Sequence, residues 1–272
     1  MKRLKLTEFI RSLRKLIKQQ PMEMPRHLRD NPVLKLLWNR RSVRSFMNRA
    51  VQPEVLSIIL EAGRLAPSGV NLQSWSFGVF SRGSWKEKFG SSIPFNGENA
   101  VIIMGDVHRA RSAISEFPRQ PLVEYTLAVL NAGIAAYAMN IAAEACGISS
   151  IMLSDTGRTG FYDAMYLKDK LDLPEGVFPL TTLVLGYAKK IPPASPPKLP
   201  MDTVSFTGSY KESDPEVLRS WLNQMQAGYR ASMITKSFSG QLKHYRSRAD
   251  KAEEGLRNII FFDSGDKESG DD

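Results

Sequence analysis

The sequence has one cysteine, Cys146, and only three histidines in 272 residues. A lone cysteine excludes an intrachain disulfide framework, a cysteine-rich zinc site and a cysteine-ligated iron–sulfur cluster. The histidines, His27, His108 and His244, are too far apart for paired metal ligands, so no metal site is expected. With 42% hydrophobic residues, the chain is long enough for one large or two small domains with a substantial core.

Positive charge is concentrated at the N-terminal end of the chain. The formal net charge is +9, but residues 1–49 carry 14 basic and 3 acidic side chains, whereas the remainder carries 23 and 25. A protein that grips duplex nucleic acid usually spreads lysine and arginine over a face of its main domain. We therefore expect no nucleic-acid partner.

Residues 4–18 combine apolar residues at helical spacing with interleaved lysine and arginine, which predicts a basic amphipathic helix. Contact between residues 1–20 and an anionic membrane surface is one interpretation. Packing against the body of the protein or a partner subunit is the favoured one. The segment lacks the uninterrupted apolar core of a secretory signal.

Proline and apolar periodicity mark the main elements. Asn31-Pro32 predicts the start of a helix that ends near Asn39, and Pro53 predicts a second. Apolar or alternating runs predict four strands, at 75–80, 101–104, 148–153 and 180–187. Pro-rich residues 191–200 predict an extended arm, Asp214-Pro215 predicts another helix, and a final strand is expected near Ile259–Phe262.

Residues 122–147 form the most apolar stretch of the chain. Asn131, Asn140 and Glu144 interrupt it within the roughly 20 residues that a membrane span requires. A long central helix, buried on most sides, is therefore favoured over a transmembrane helix.

Two short motifs have residue types suited to ligand binding. Arg40-Arg41-Ser42-Val43-Arg44 offers three guanidinium groups and a hydroxyl, which can surround a phosphate, although a solvated basic turn or a kinase site would look the same. Ala66–Gln73 reads Ala-Pro-Ser-Gly-Val-Asn-Leu-Gln, whose small and amide residues suit a flat ligand or an ordinary helix-to-strand loop. Neither motif alone decides between its interpretations.

The order of these motifs resembles the FMN-dependent nitroreductase family. The arginine-rich turn, a helix, the Pro-Ser-Gly-x-Asn-x-Gln loop, a Trp-x-Phe strand, an Ala-rich helix, a Leu-Gly-Tyr strand end and Pro-Pro-Lys-Leu-Pro follow one another over residues 31–204. The resemblance implies an α+β fold with a mixed central β-sheet flanked by helices. It also implies an obligate homodimer with FMN at the subunit interface and a long buried central helix.

The resemblance further implies a set of cofactor-binding residues. The arginine turn would hold the FMN phosphate, the loop would contact the flavin, often that of the other subunit, and the third strand end would lie along the ring. The expected FMN-contacting residues are Arg40, Arg41, Ser42, Arg44, Pro67, Ser68, Gly69, Asn71, Gln73, Met152, Leu153, Ser154 and Lys198.

The family reaction implies ping-pong hydride transfer from NAD(P)H through flavin N5 to a nitro, quinone or similar small acceptor. No catalytic side chain is required, because the cofactor performs the chemistry. Arg41 and Arg44 are candidates for stabilising the anionic reduced flavin. The alternatives are a flavin-binding protein without turnover and an oxygen-dependent flavin-cleaving enzyme of the same fold.

Three departures from the family pattern bear on these expectations. Ser74 replaces a common proline, and Ser154-Asp155 replaces a common Glu-Gly pair beside the flavin. Only about 20 residues separate Phe80 from Val101, too few for the helical lid of the iodotyrosine deiodinases. A short loop over the pocket, made by Phe89, Ile93, Phe95 and Asn96, or a plain surface turn, is expected there.

The chain is thus predicted to have three parts. They are a basic N-terminal extension (1–30), a nitroreductase-like FMN-binding domain (31–204) and a C-terminal helical and strand extension with an acidic, disordered tail (205–272). The expected location is the cytoplasm.

Overall fold

A four-stranded antiparallel sheet organises the larger unit of the computed structural model, which describes residues 23–117, 119–154, 159–192, 195–232 and 237–261. The strand order is β1-β2-β4-β3. The strands are β1 (Trp75–Ser81), β2 (Asn99–Asp106), β3 (Ser149–Leu153) and β4 (Val177–Gly186). All four strands lie where the sequence predicts them.

The described residues contain nine α-helices. Proline stands in the first turn of several of them, where its missing N–H costs no hydrogen bond. The helices are α1 (Pro32–Asn39), α2 (Pro53–Arg64), α3 (Arg82–Phe89), α4 (His108–Ala113), α5 (Pro121–Ala145), α6 (Ala164–Leu171), α7 (Met201–Val204), α8 (Pro215–Ser232) and α9 (Phe238–Ile260).

The long helix α5 confirms the predicted central helix. Its alanines let it pack closely on one face of the sheet, where Met139 joins Val101 and Ile103 in the core together with Ile59 of α2. By length and a mean hydropathy of 1.4, α5 is the one described helix that could cross a membrane, but 44% of that window is buried inside the protein. These properties are those of a core helix.

The opposite face of the sheet carries a second, aromatic-rich core. Ile102, which alternates with Val101 and Ile103 along β2, packs there with Trp85 and Phe89 of α3. The β1–β2 connection is therefore filled by α3 and a short 3-10 turn (Pro94–Asn96).

Two expectations are corrected. The α+β class is confirmed, but the four strands pair only antiparallel, and the parallel component of the expected mixed sheet is a single bridge between Ser42 and Ser150. The final strand expected near 259–262 is wrong where the structure describes it, because Ile259 and Ile260 end α9. Together with Leu256 they have helical spacing and pack on the same cluster as Phe178, and this packing outweighs their β-propensity.

The described chain divides into two units. The larger comprises residues 32–191 and 248–261, and the smaller comprises residues 23–31 and 192–247. In the smaller unit the described residues of the Pro-rich segment up to residue 200 form no helix or strand, and the Trp221 indole N–H donates to the Pro197 carbonyl at 3.3 Å. The extended conformation of the segment stays a prediction. The predicted basic helix (residues 1–20) and the acidic tail lie outside the described residues, and the three-part division stays a prediction.

Candidate functional site

The arginine turn is fixed to the sheet by its apolar residues. Val43 and Phe46 are buried, the Val43 N–H donates to the Ser150 carbonyl at 3.0 Å, and Phe46 forms a bridge with Ala188. The remaining side chains of the turn, Arg40, Arg41, Ser42 and Arg44, are partly or fully exposed. The turn therefore directs its apolar side chains into the core and its polar side chains outward.

The three guanidinium groups of this turn form no ion pair with any described carboxylate. Arg41 donates to the carbonyls of Trp38 (2.9 Å) and Arg40 (3.0 Å), which fixes its direction. Only neutral acceptors lie within hydrogen-bond distance, and Glu144 is the described acid that interacts with Arg40 and Arg41 at longer range. Such an arrangement suits a bound phosphate.

The loop after α2 has an unusual backbone. Val70, Asn71 and Gln73 have φ values of 50°, 58° and 48°. Left-handed backbone is uncommon outside glycine, and for a β-branched residue it is an outlier that the surroundings must enforce. Here the Gln73 N–H donates to the Ser68 hydroxyl at 3.0 Å, and Val70 is 95% exposed. Pro67, Gly69 and Asn71 are also exposed, so this loop offers an uncovered surface.

The residues at the end of β3 differ in their exposure. The Met152 side chain is exposed, whereas that of Leu153 is buried in the core and its carbonyl accepts from the Thr181 hydroxyl at 3.0 Å. Gly160 lies against Ser154: a Cβ at Gly160 would stand 2.7 Å from the Ser154 Cα. Asp155 lies outside the described residues. The Leu153 side chain is therefore not available to a ligand.

Two buried asparagines of α5, not predicted as site residues, reach these segments. The Asn140 Nδ2 donates to the Ser150 hydroxyl at 2.7 Å, and Ser150 is the β3 residue that binds the arginine turn. The Asn131 Nδ2 and Oδ1 lie 3.4 Å from the Ser74 hydroxyl and the Gly69 N–H respectively. Only the polarity of these positions in an apolar helix could have marked them.

Glu144, in the last turn of α5, is the third polar interruption of the helix. Its Oε1 is buried without a hydrogen-bond partner among the described residues. Burial raises the pKa of Glu144, and the positive charges of Arg40 and Arg41 oppose that rise. A carboxylate at a helix C-terminus also meets the negative end of the helix dipole.

Replacing Glu144 with glutamine should stabilise the flavin-free protein at pH 7.5. The raised pKa means that ionisation of Glu144 disfavours the folded state; this cost is absent below the unfolded pKa and grows as pH rises through the folded pKa. The gain in Tm should be at most roughly 2–4 °C, since the carboxyl is partly solvated, and should vanish near pH 4. Thermal unfolding at the two pH values measures it.

Glu61→Gln is the matched control for this prediction. Glu61 accepts hydrogen bonds from Arg64 at 2.7 and 2.6 Å, and this contact lowers the pKa of Glu61. Its carboxylate therefore stabilises the fold above the unfolded pKa, so glutamine should give no gain at pH 7.5. An equal gain from both variants would contradict the role assigned to burial at Glu144.

The β1–β2 connection does not form a loop of aromatic side chains over a pocket. Phe89 and Ile93 are buried in the core, and only Phe95 and Asn96 remain partly or fully exposed. A cleft of about 790 Å³ opens beside Asn96, between Arg82 and Lys189, and none of the predicted FMN-contacting residues lines it. Lys198, the last residue of the predicted set, is exposed in the smaller unit.

Comparison with known proteins identifies the family to which this chain belongs. The model of the "Nitroreductase family" matches residues 37–93, which include both the arginine turn and the left-handed loop. A "Putative NADH dehydrogenase/NAD(P)H nitroreductase" of Archaeoglobus fulgidus is 30% identical over 162 residues, covering 57% of this chain and 85% of that protein. The chain belongs to the nitroreductase family.

Other relatives agree with this assignment. The "FMN reductase [NAD(P)H]" of Bacillus subtilis is 28% identical over 195 residues, which are 68% of this nitroreductase-family chain and 76% of that protein. The structure of the NADPH:FMN oxidoreductase of Vibrio harveyi complexed with NAD+ has a TM-score of 0.69 and 20% identity, covering 85% of this chain and 98% of that one. The nitroreductase fold is thus shared over nearly the whole length of that structure.

Proposed function

We propose that this nitroreductase-family protein is an FMN-dependent oxidoreductase that oxidises NAD(P)H and reduces a nitro, quinone or similar small acceptor by a ping-pong mechanism. The observation that carries the proposal is the arginine turn, which has no described carboxylate within ion-pair distance and is fixed on β3 beside the exposed end of that strand. Relatives named FMN reductase and NADPH-flavin oxidoreductase support the cofactor and the reductant.

The residues present fit FMN. Arg40, Arg41 and Ser42 supply charge-assisted and hydroxyl donors for a phosphate, and no described carboxylate competes for them within ion-pair distance. Met152 offers an exposed apolar side chain beside them for a flat ring. When bound, FMN would supply the capacity to accept a hydride from a reduced nicotinamide and to pass electrons to an acceptor.

The protein's own contribution is then orientation and electrostatics. Arg41 and Arg44 provide positive charge that favours added negative charge on the bound cofactor. The left-handed backbone at Val70 and Asn71 shapes the exposed loop that would contact the ring. No side chain is assigned as a general acid or base.

A homodimer is proposed from the uncovered side of α5. Five large apolar side chains there follow one another at intervals of four and three residues, the spacing of a helix-packing stripe. These exposed residues are Val123, Leu127, Leu130, Ile134 and Tyr137. A second copy of the chain would bury the stripe and bring the loop at 67–73 to the partner's FMN, as the family resemblance implies. A cytoplasmic location is proposed because the reductant is an intracellular metabolite.

Purification of the full chain tests this function. The protein should be yellow, with about one FMN per chain and the mass of a dimer in solution. NADH or NADPH oxidation should accelerate with a nitroarene or quinone and give parallel double-reciprocal lines. A colourless protein that takes up no added FMN would refute the proposal. Bound FMN without NAD(P)H oxidation would favour a binding protein, and a cleaved flavin under air would favour the flavin-cleaving alternative.

A further inference from the structure

Asn131 and Asn140 are the buried polar residues in the middle of an otherwise apolar helix. They are 3% and 2% exposed, among buried alanines and Met139. A buried amide costs free energy unless its hydrogen bonds are satisfied, and an aliphatic side chain of similar size would pack there without that cost. Both asparagines are bonded to serines of neighbouring segments, Ser74 and Ser150, which are themselves 2% and 0% exposed.

The two asparagines point to different segments. They are nine positions apart, which is two and a half helical turns, so they leave α5 on opposite sides and about 13.5 Å apart along its axis. Asn140 bonds Ser150, whose carbonyl accepts the N–H of Val43 within the arginine turn. Asn131 lies against Gly69 and Ser74, at the beginning and just beyond the end of the left-handed loop.

We propose that Asn140 positions the phosphate-binding turn and that Asn131 independently positions the ring-contacting loop. Through these separate buried Asn–Ser pairs, α5 would set the phosphate side of its own chain's FMN site and the loop side of the partner's. The inference rests on the proposed FMN function and adds two positioning residues to it. Neither asparagine touches the cofactor; each acts through a segment that does.

The division of roles gives the two asparagines different signatures in flavin binding. Riboflavin has the flavin ring without the phosphate, so the ratio of FMN affinity to riboflavin affinity isolates the contribution of the arginine turn. A substitution at Asn140 should lower that ratio. A substitution at Asn131 should weaken the binding of both ligands and leave the ratio unchanged. Because both ligands are titrated into the same sample, the ratio does not depend on the fraction of protein that is folded.

The experiment titrates FMN and riboflavin, by quenching of flavin fluorescence, into the deflavinated full-length wild type and the variants Asn140→Leu and Asn131→Leu. Ser150→Ala and Ser74→Ala remove the same bonds from the strand side and serve if a helix variant does not fold. Met139→Ala is the control, since Met139 is a buried apolar residue of the same helix and belongs to neither pair.

For the loss of one buried hydrogen bond we expect Asn140→Leu and Ser150→Ala to lower the ratio by about tenfold. Asn131→Leu and Ser74→Ala should weaken FMN and riboflavin alike, and Met139→Ala should leave the ratio at the wild-type value. An unchanged ratio in folded Asn140→Leu and Ser150→Ala, or an equal fall in the Asn131 variants, would overturn the division of roles. A wild type that binds FMN no better than riboflavin would instead overturn the phosphate site itself.

Discussion

Alanine at both Arg41 and Ser42 should lower the affinity for FMN by about 10²–10³-fold and yield protein that loses its colour during purification. Charge-assisted hydrogen bonds are worth roughly 1.5–3 kcal/mol each, and the change removes one guanidinium and one hydroxyl from the proposed phosphate site. Riboflavin affinity should change far less. Absorbance near 450 nm per chain, with flavin titration, measures the effect.

Arg49→Ala is the control for this substitution. Arg49 stands a few residues further along the same segment, but its guanidinium lies over the Tyr187 ring, 3.7 Å from the centroid. Its removal deletes the same charge outside the proposed site, so FMN content should stay near that of the wild type. Full retention of FMN by the double alanine variant would remove the arginine turn from the site.

Aspartate at both Leu130 and Ile134 should convert the proposed dimer to a monomer and cause it to lose FMN. The two exposed side chains lie one turn apart at the middle of the apolar stripe on α5. Two carboxylates buried without partners across a subunit interface cost several kcal/mol, more than such an association tolerates. Mass in solution by light scattering, with flavin content per chain, measures both losses.

Ile114→Asp tests whether any exposed apolar residue would do the same. Ile114 is also exposed, directly after α4, and is not one of the stripe residues. This variant should stay dimeric and yellow. A Leu130/Ile134 variant that retains the wild-type mass would show that another surface holds the subunits together, whereas a yellow monomer would show that each chain holds FMN alone.

Local signals predicted most of the helices and strands because they act within a few residues. Pro32, Pro53 and Pro215 mark helix starts since proline fits the first turn, and alternation along Trp75–Ser81 marks a strand. Strand pairing is a long-range property that such signals do not contain. The wholly antiparallel order and the helical end at Ile259–Ile260 both depend on contacts with distant residues, such as those of Phe178.

The sequence indicates which segments form the candidate site, but not the buried contacts that hold them in place. Arginine, serine and amide residues in sequence order suggested the segments, because their chemistry is visible in the sequence. What fixes those segments is buried: Asn140 on Ser150, and Asn131 beside Gly69. In the sequence these asparagines read only as interruptions of an apolar helix, since hydrogen-bond partners 10 and 62 residues away leave no local trace.

The left-handed backbone at Val70 has an evolutionary consequence. A β-branched residue in that conformation costs roughly 1–2 kcal/mol that glycine would avoid. Lineages selected only for heat resistance would therefore be expected to drift towards glycine there and to loosen the loop's shape. A β-branched residue conserved at this position would indicate selection for the shape of the loop rather than for thermal stability.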